Sequence, residues 1–340
     1  MKKYRVGFAG LVHDHVWGQM EHWKSMPNVE LVAAGDPNAA LLEKAREGGV
    51  RRTYGSWEEM LGKEELSIVE VATDNASAVR VVEAAAPKGI HIKVEKPMSA
   101  RLDQANRMVK AAEKAGVQLM IHWPTAFVPA NDLMFQMIKR GDIGQPYYFR
   151  LRCAHAGPKE IGCSQYFWEW LYDEKRNGAG ALVDYCCYSA DMCSYLFGLP
   201  RTVVGIRAVL AKDYPVPDDN AIILMKYDNL FGVAEACWTE VSTPLQPNPI
   251  CLGTEGNVGV VNDEVVLQKR SGEAETITPL PLPEGRRNGP EYLISCLEGG
   301  RDVEGQCSAR VSRDAQEILE AGLLSADQGK AVNIPVQKRT

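Results

Sequence analysis

No CxxC pair occurs in the 340 residues, and the six histidines are scattered. Zinc sites of closely spaced cysteines and histidines are therefore not expected, and the reading is that no metal is held. The nine cysteines (153, 163, 186, 187, 193, 237, 251, 296 and 307) are odd in number, and no apolar stretch follows the lysines at positions 2 and 3. A signal peptide is thus not expected, and reduced thiols in the cytoplasm fit best. No apolar run is long enough to cross a bilayer, so no membrane partner is expected. No basic block is present: 38 lysines and arginines are interspersed with 44 acidic residues, for a net charge of −6. That excludes the electrostatic footprint of a nucleic-acid binder. Repeats and low-complexity stretches are missing too, and the proline-rich run at 279–283 reads as a loop.

What remains has the balance of a globular enzyme-sized chain. Apolar residues at 45% and charged residues at 24% allow a proper core, and the length implies two domains. The first third alternates strand and helix patterns. Strands are expected at 4–10, 30–35, 67–73, 91–94 and 117–122. Helices are expected at 15–25, 38–47, 57–61, 76–86 and 101–115, with Ser56 capping the third and Gly116 closing the last. Strands separated by such helices indicate βαβ units, right-handed crossovers and a doubly wound parallel sheet. The pattern then changes. A helix at 131–140 is followed by strand-like runs at 146–154, 202–210, 221–227, 232–241 and 258–261, and by a late amphipathic helix at 308–327. Several runs alternate in character, as a mostly antiparallel sheet with one covered face does. The expected division is 1–122 and 123–340.

In such a sheet, anions bind where a strand turns into a helix N-terminus. The first turn reads Gly10-Leu11-Val12-His13-Asp14-His15. Of the three glycine positions in the dinucleotide fingerprint, only Gly10 matches; Val12 and His15 fill the others. The turn alone is also consistent with an ordinary strand-to-helix connection. Asp36 ends the second strand, 26 positions after Gly10. Its carboxylate suits both ribose hydroxyls and would repel a 2′-phosphate, which favours NAD over NADP. It suits equally the N-cap of the helix that follows. Thr73 and Asn75 lie at the same carboxyl edge, and His13 and His15 are candidate donors to the phosphates.

Glu95-Lys96-Pro97 follows the strand at 91–94. Lys96 would face the crevice of Gly10 and Asp36, where burial can tune a lysine for proton transfer; a surface lysine paired with Glu95 is the alternative. Asp184, Tyr188 and Asp191 share one face of a helix at 181–196, either as a functional stripe or as a solvent-facing one. Tyr166-Phe167-Trp168-Glu169-Trp170 precedes that helix, and His122-Trp123 marks the domain junction. Trp123, Trp168 and Trp170 could wall a sugar cleft or form an aromatic core of the second domain.

Four features together resemble the Gfo/Idh/MocA oxidoreductases. They are Glu95-Lys96-Pro97, Gly141-Asp142-Ile143-Gly144, the stretch 178–191 (similar to the family's G-G-G-x-L-x-D-x-G-x-H-x-x-D), and Ser325-Ala326-Asp327-Gln328-Gly329-Lys330 with Ile334-Pro335. The resemblance implies an N-terminal Rossmann domain and a C-terminal α+β domain with a large open sheet that often forms the oligomer interface. A homodimer or homotetramer is expected. It implies hydride transfer between NAD and a sugar or polyol hydroxyl. Lys96 and Asp184 take family roles, and Tyr188 stands where many members have an acid/base histidine. Cys186 replaces a motif glycine, and Asp74 stands where proline is common. Two other activities are compatible with the resemblance: NAD-assisted glycoside hydrolysis, and non-catalytic ligand sensing.

Overall fold

The computed structural model describes residues 2–242 and 246–336. In chain order the first part comprises β1 (Tyr4–Ala9), α1 (His15–Lys24), β2 (Val29–Gly35), α2 (Ala39–Glu47), β3 (Arg52–Tyr54), α3 (Trp57–Lys63), β4 (Ile68–Val71), α4 (Ala78–Ala85), β5 (His91–Glu95), α5 (Leu102–Ala115) and β6 (Leu119–His122). The six strands form one sheet in the order β3-β2-β1-β4-β5-β6, and every neighbouring pair is parallel. The order reverses at β1 and β4, so the crevice beyond their carboxyl ends is the ligand position of a doubly wound sheet. The strands are nearly continuous apolar runs because both faces are covered, as at Val6, Phe8, Ile68, Val69 and Ile92. Ser56 caps α3 by accepting from Glu59 N at 3.1 Å, and α5 stops at Gly116 with φ +65°.

The chain continues through α6 (Pro129–Arg140), β7 (Pro146–Ala154), α7 (Gln165–Leu171), α8 (Glu174–Asn177), α9 (Ala181–Phe197), β8 (Thr202–Ala208), β9 (Asn220–Lys226), β10 (Phe231–Cys237), β11 (Ile250–Gly253), β12 (Gly256–Val261), β13 (Glu264–Lys269), β14 (Glu275–Ile277), α10 (Gly289–Glu298), α11 (Ala309–Gln328) and β15 (Val332–Asn333). The second sheet runs β14-β13-β12-β11-β7-β10-β9-β8-β15. Its neighbours are antiparallel except β7 and β10, which pair in parallel. α9 packs on β7, β9 and β10. Ala221, Ile223 and Met225 of β9 are buried, while the alternating Ile222 is 49% exposed. The alternation expected for one covered face is present, but the other face is apolar as well.

The two compact units are not two contiguous spans. One comprises Met1–Trp123, Cys163–Gly178 and Glu284–Arg313; the other comprises Pro124–Gly162, Ala179–Pro283 and Asp314–Thr340. Against the contiguous division expected at 122/123, α7, α8 and α10 belong with the parallel sheet. In the first unit α10 packs on α1. A Cβ added at Gly289, its first residue, would come within 2.9 Å of Lys93 Cε and 2.6 Å of His122 Cδ2, so α10 seals that end of the sheet closely. No disulfide joins any of the nine cysteines. No helix among the described residues is long and apolar enough to cross a membrane.

Candidate active site

The turn after β1 keeps one glycine for a steric reason. Gly10 has φ +76°, and a Cβ there would lie 2.6 Å from Thr73 Cγ2 and 2.9 Å from Thr73 Cα and N. Two backbones approach at the switch point, and only glycine permits it. Asp36 anchors the turn from β2. Its Oδ2 accepts from Leu11 N at 2.7 Å, and its Oδ1 accepts from Asn38 N at 2.8 Å and from Asn38 Nδ2 at 2.7 Å. The N-cap of α2 is Asn38, not Asp36, and α2 starts at Ala39. Asp36 is buried, so its carboxylate organises the turn from within.

Where the fingerprint lacks glycines, side chains of the α7 segment hold the turn. Asp14 accepts from Ser164 N at 2.7 Å and Ser164 Oγ at 2.6 Å. Trp170 Nε1 donates to the Val12 carbonyl at 3.3 Å. The His13 ring lies against Phe167, 4.6 Å between centroids, and against Trp170, 5.6 Å away. The His13 ring is hydrogen-bonded to the backbone of Lys96, and its Nδ1 accepts from His15 N at 3.4 Å. Burial, reinforced by His15, holds His13 well below the usual histidine range. The buried His13 ring makes its hydrogen bonds inward, to Lys96 and His15, and shapes the turn from within. His15 opens α1 with its side chain 37% exposed, and its Nδ1 stands 3.2 Å from Glu95 Oε2.

Glu95 ends β5 inside a buried polar chain. Its Oε1 meets His122 Nδ1 at 2.9 Å and Lys93 Nζ at 3.5 Å. Lys93 Nζ also donates to Glu70 Oε1 at 2.6 Å, and Trp23 Nε1 donates to Glu70 Oε2 at 2.9 Å. Burial alone would raise the Glu95 carboxyl, but His122 and Lys93 outweigh it and hold Glu95 well below the carboxylate range. Burial pushes His122 down to about 4. Lys96 follows with only 2% of its surface exposed, so it is not the surface lysine that sequence alone allowed.

Thr73 and Asn75 flank the same edge, and Asn75 is buried. Its Nδ2 donates to Asn177 Oδ1 at 2.8 Å, and Asp74 accepts from Ser77 N and from Arg176, tying α8 to this edge. Asn75 is thereby tied to Asn177, and its amide braces this edge. Trp123 and Trp170 are core side chains, not cleft walls. They are 1% and 0% exposed, and the Trp123 indole donates to Ser312 Oγ at 3.0 Å. Trp168 is half-buried beside Tyr172 in the first unit, so no aromatic core of the second unit includes this segment.

In the second unit α9 begins under a cap that sequence reasoning missed. Asp218 Oδ2 accepts from Gly180 N at 2.9 Å and Oδ1 accepts from Leu182 N at 2.7 Å. A Cβ at Gly180 would sit 2.1 Å from the Asp218 carbonyl, which explains that glycine. Asp184 and Asp191 are 4% and 0% exposed, so the stripe is not solvent-facing. Tyr188 is half-buried, with the Tyr185 ring 6.1 Å away. Cys186 is a fully buried thiol, pushed far up by burial, that packs α9 on β10 near the Ala234 carbonyl.

The turn lies where β1 runs into the N-terminus of α1, the position that takes a dinucleotide's pyrophosphate in doubly wound sheets. Residues 5–122 match the model of the oxidoreductase family with NAD-binding Rossmann fold, and residues 133–258 match that of the GFO/IDH/MocA C-terminal domain. The chain belongs to the Gfo/Idh/MocA oxidoreductase family. Among curated relatives of this family member, D-apiose dehydrogenase of Paraburkholderia graminis is 26% identical, covering 96% of this chain and 88% of the relative. The 1,5-anhydro-D-fructose reductase of Ensifer adhaerens is 29% identical, covering 85% and 86%. A levoglucosan dehydrogenase solved with NADH and L-sorbose shares the fold at TM-score 0.82, with 22% identity over 99% of this chain and 100% of that one. As a member of this family the protein is an oxidoreductase. Lys96 falls in the Rossmann unit of the Gfo/Idh/MocA fold, and Asp184 and Tyr188 fall in the other.

Proposed function

We propose that the protein is an NAD-dependent dehydrogenase acting on a hydroxyl of a sugar, sugar derivative or cyclitol, with Lys96, Asp184 and Tyr188 at the reacting hydroxyl. The burial of Lys96 at the carboxyl end of β5, behind the Gly10–His15 turn, carries this reading. A lysine removed from water there has a task other than solubility. Gly10, Val12, His15 and Thr73 would border the dinucleotide, and Asp36 behind the turn favours NAD over NADP by its charge. The bound cofactor supplies the hydride-accepting nicotinamide. Tyr188, as the phenolate, takes the hydroxyl proton at its oxygen while the carbon gives up its hydride. The Lys96 ammonium lowers the phenol's affinity for that proton, and Asp184 orients the substrate. The activities of the relatives on apiose and anhydrofructose support a sugar-like substrate.

The test is NADH formation with free sugars, cyclitols and sugar acids. Lys96→Ala should lower kcat by more than about 100-fold with the fold intact. Wild-type turnover in that variant would refute the role, and glycoside cleavage without net NADH would redirect the reaction class. We also propose a homodimer or homotetramer joined through the sheet face that exposes Ile206 (66%), Ile222 (49%) and Phe231 (47%). Sedimentation should give more than one chain per particle, and Ile206→Glu with Ile222→Glu should return it to one.

A further inference from the structure

We infer that His13, His15 and Glu95 form a binding site for one zinc-like divalent transition-metal ion at the turn between β1 and α1. The three side chains come from two places in the chain, the turn and the end of β5, 80 positions apart for His15 and Glu95. One ligand atom from each lies within 4.8 Å of the other two. His15 Nδ1 and Glu95 Oε2 already stand 3.2 Å apart. Two ligands on one tetrahedral zinc, each at about 2.0–2.2 Å, stand ~3.4 Å apart. This pair therefore needs no movement, and His13 needs a closing shift on the order of an ångström.

The surroundings are arranged as they are around ligating side chains. A metal-bound imidazole commonly gives its other nitrogen to a backbone carbonyl, and the His13 ring is hydrogen-bonded to the Lys96 backbone. The lone pair of His13 Nδ1 points toward His15, since that atom accepts from His15 N at a long 3.4 Å. A bond of that length gives way readily to a metal. The carboxylate is divided: His122 and Lys93 hold Glu95 Oε1, leaving Oε2 on the His15 side. Two imidazoles with one carboxylate suit zinc or ferrous iron and not magnesium or calcium, which prefer all-oxygen sites. Three protein ligands leave a position open, and the 37% exposure of the His15 side chain connects it to solvent. An open fourth position is the arrangement of catalytic rather than structural zinc. The cluster lies beside Lys96, but the inference does not rest on the dehydrogenase reading.

The experiment titrates the chelator-treated full-length protein with Co2+, following visible absorption and calorimetry, with no dinucleotide or substrate present. The expected result is one Co2+ per chain with the intense bands of four-coordinate cobalt, displaced by Zn2+. Affinity should fall by more than about 100-fold in His15→Ala and in Glu95→Gln. It should be unchanged in His22→Ala, which alters an exposed histidine outside the cluster. Because Glu95 is buried, His15→Ala is the primary variant, with circular dichroism verifying its fold. Substoichiometric binding, or binding that survives His15→Ala with the same affinity and spectrum, would overturn the site. Either result leaves the Lys96 turnover test standing, because the two experiments share no component.

Discussion

His122 and His13 show how much the placement of a single ring decides. Each imidazole is buried and held below its ordinary range, His122 at about 4. In the unfolded chain both return to about 6.5. Between those values the unfolded chain carries the protons and the folded chain does not, so stability falls as pH falls from about 6.5 toward 4. Glu95, held low when folded, adds a loss of the same sign at lower pH. His122 contributes a slope of roughly 1 kcal/mol per pH unit in that window, and His13 acts with the same sign. Urea midpoints at pH about 7.5, 6 and 5 should decline in that order, and His122→Gln should flatten the decline. A flat profile in the unaltered protein would show that these rings are protonated in the fold. None of this was legible in the sequence. The His13–His15 turn, Glu95 and His122 lie far apart along the chain, and only the sheet order β1-β4-β5-β6 brings them together.

At the level of elements, the alternating strands and helices of the first third were legible because periodicity, caps and terminal glycines are local signals. β1, β2, α1 and α5 lie within a residue or two of expectation. The three-residue β3, the strands β11, β13, β14 and β15, and the helices α7, α8 and α10 were missed. β3, β14 and β15 are too short to show a period, β13 pairs with its chain neighbours β12 and β14 without a turn signal that was read, and β11 is placed by pairing with β7, far back in the chain. The cap of α9 was hidden for the same reason, since Asp218 reaches Gly180 across 38 positions. Long range also governs the charge placed inside the first sheet. Lys93 on β5 and Glu70 on β4 face each other at 2.6 Å with both side chains fully buried. Such a pair adds little over an apolar one, but either partner alone is costly. Lys93→Met should therefore destabilise the protein by about 3–5 kcal/mol, and adding Glu70→Gln should recover a large part of that. Chemical unfolding of the two variants decides it; equal stabilities would mean that water reaches Glu70 once the lysine is gone.

For the whole molecule, the order of the chain and the order of folding units differ. The parallel sheet ends at His122, and a cut there leaves the nominal dinucleotide domain with all six of its strands. Yet the turn that would hold the pyrophosphate is fastened by Ser164, Phe167 and Trp170, and the Lys93 and His122 end is covered by α10. A fragment of residues 1–122 would expose His13 and the buried Glu70–Lys93–Glu95 chain to water and lose the apolar cover on α1. The net stability of a domain is only about 5–15 kcal/mol, and these losses act together on one core. The fragment should show no cooperative urea transition under conditions where the intact protein unfolds in one. A protein joining 1–123, 163–178 and 284–313 through short flexible linkers should regain that transition. Cooperative unfolding of the 1–122 fragment alone would show that the later segments decorate the Rossmann sheet instead of completing it. Loss in the fragment with recovery in the joined protein would explain how a turn with one fingerprint glycine persists: its shape is held by residues more than a hundred positions away.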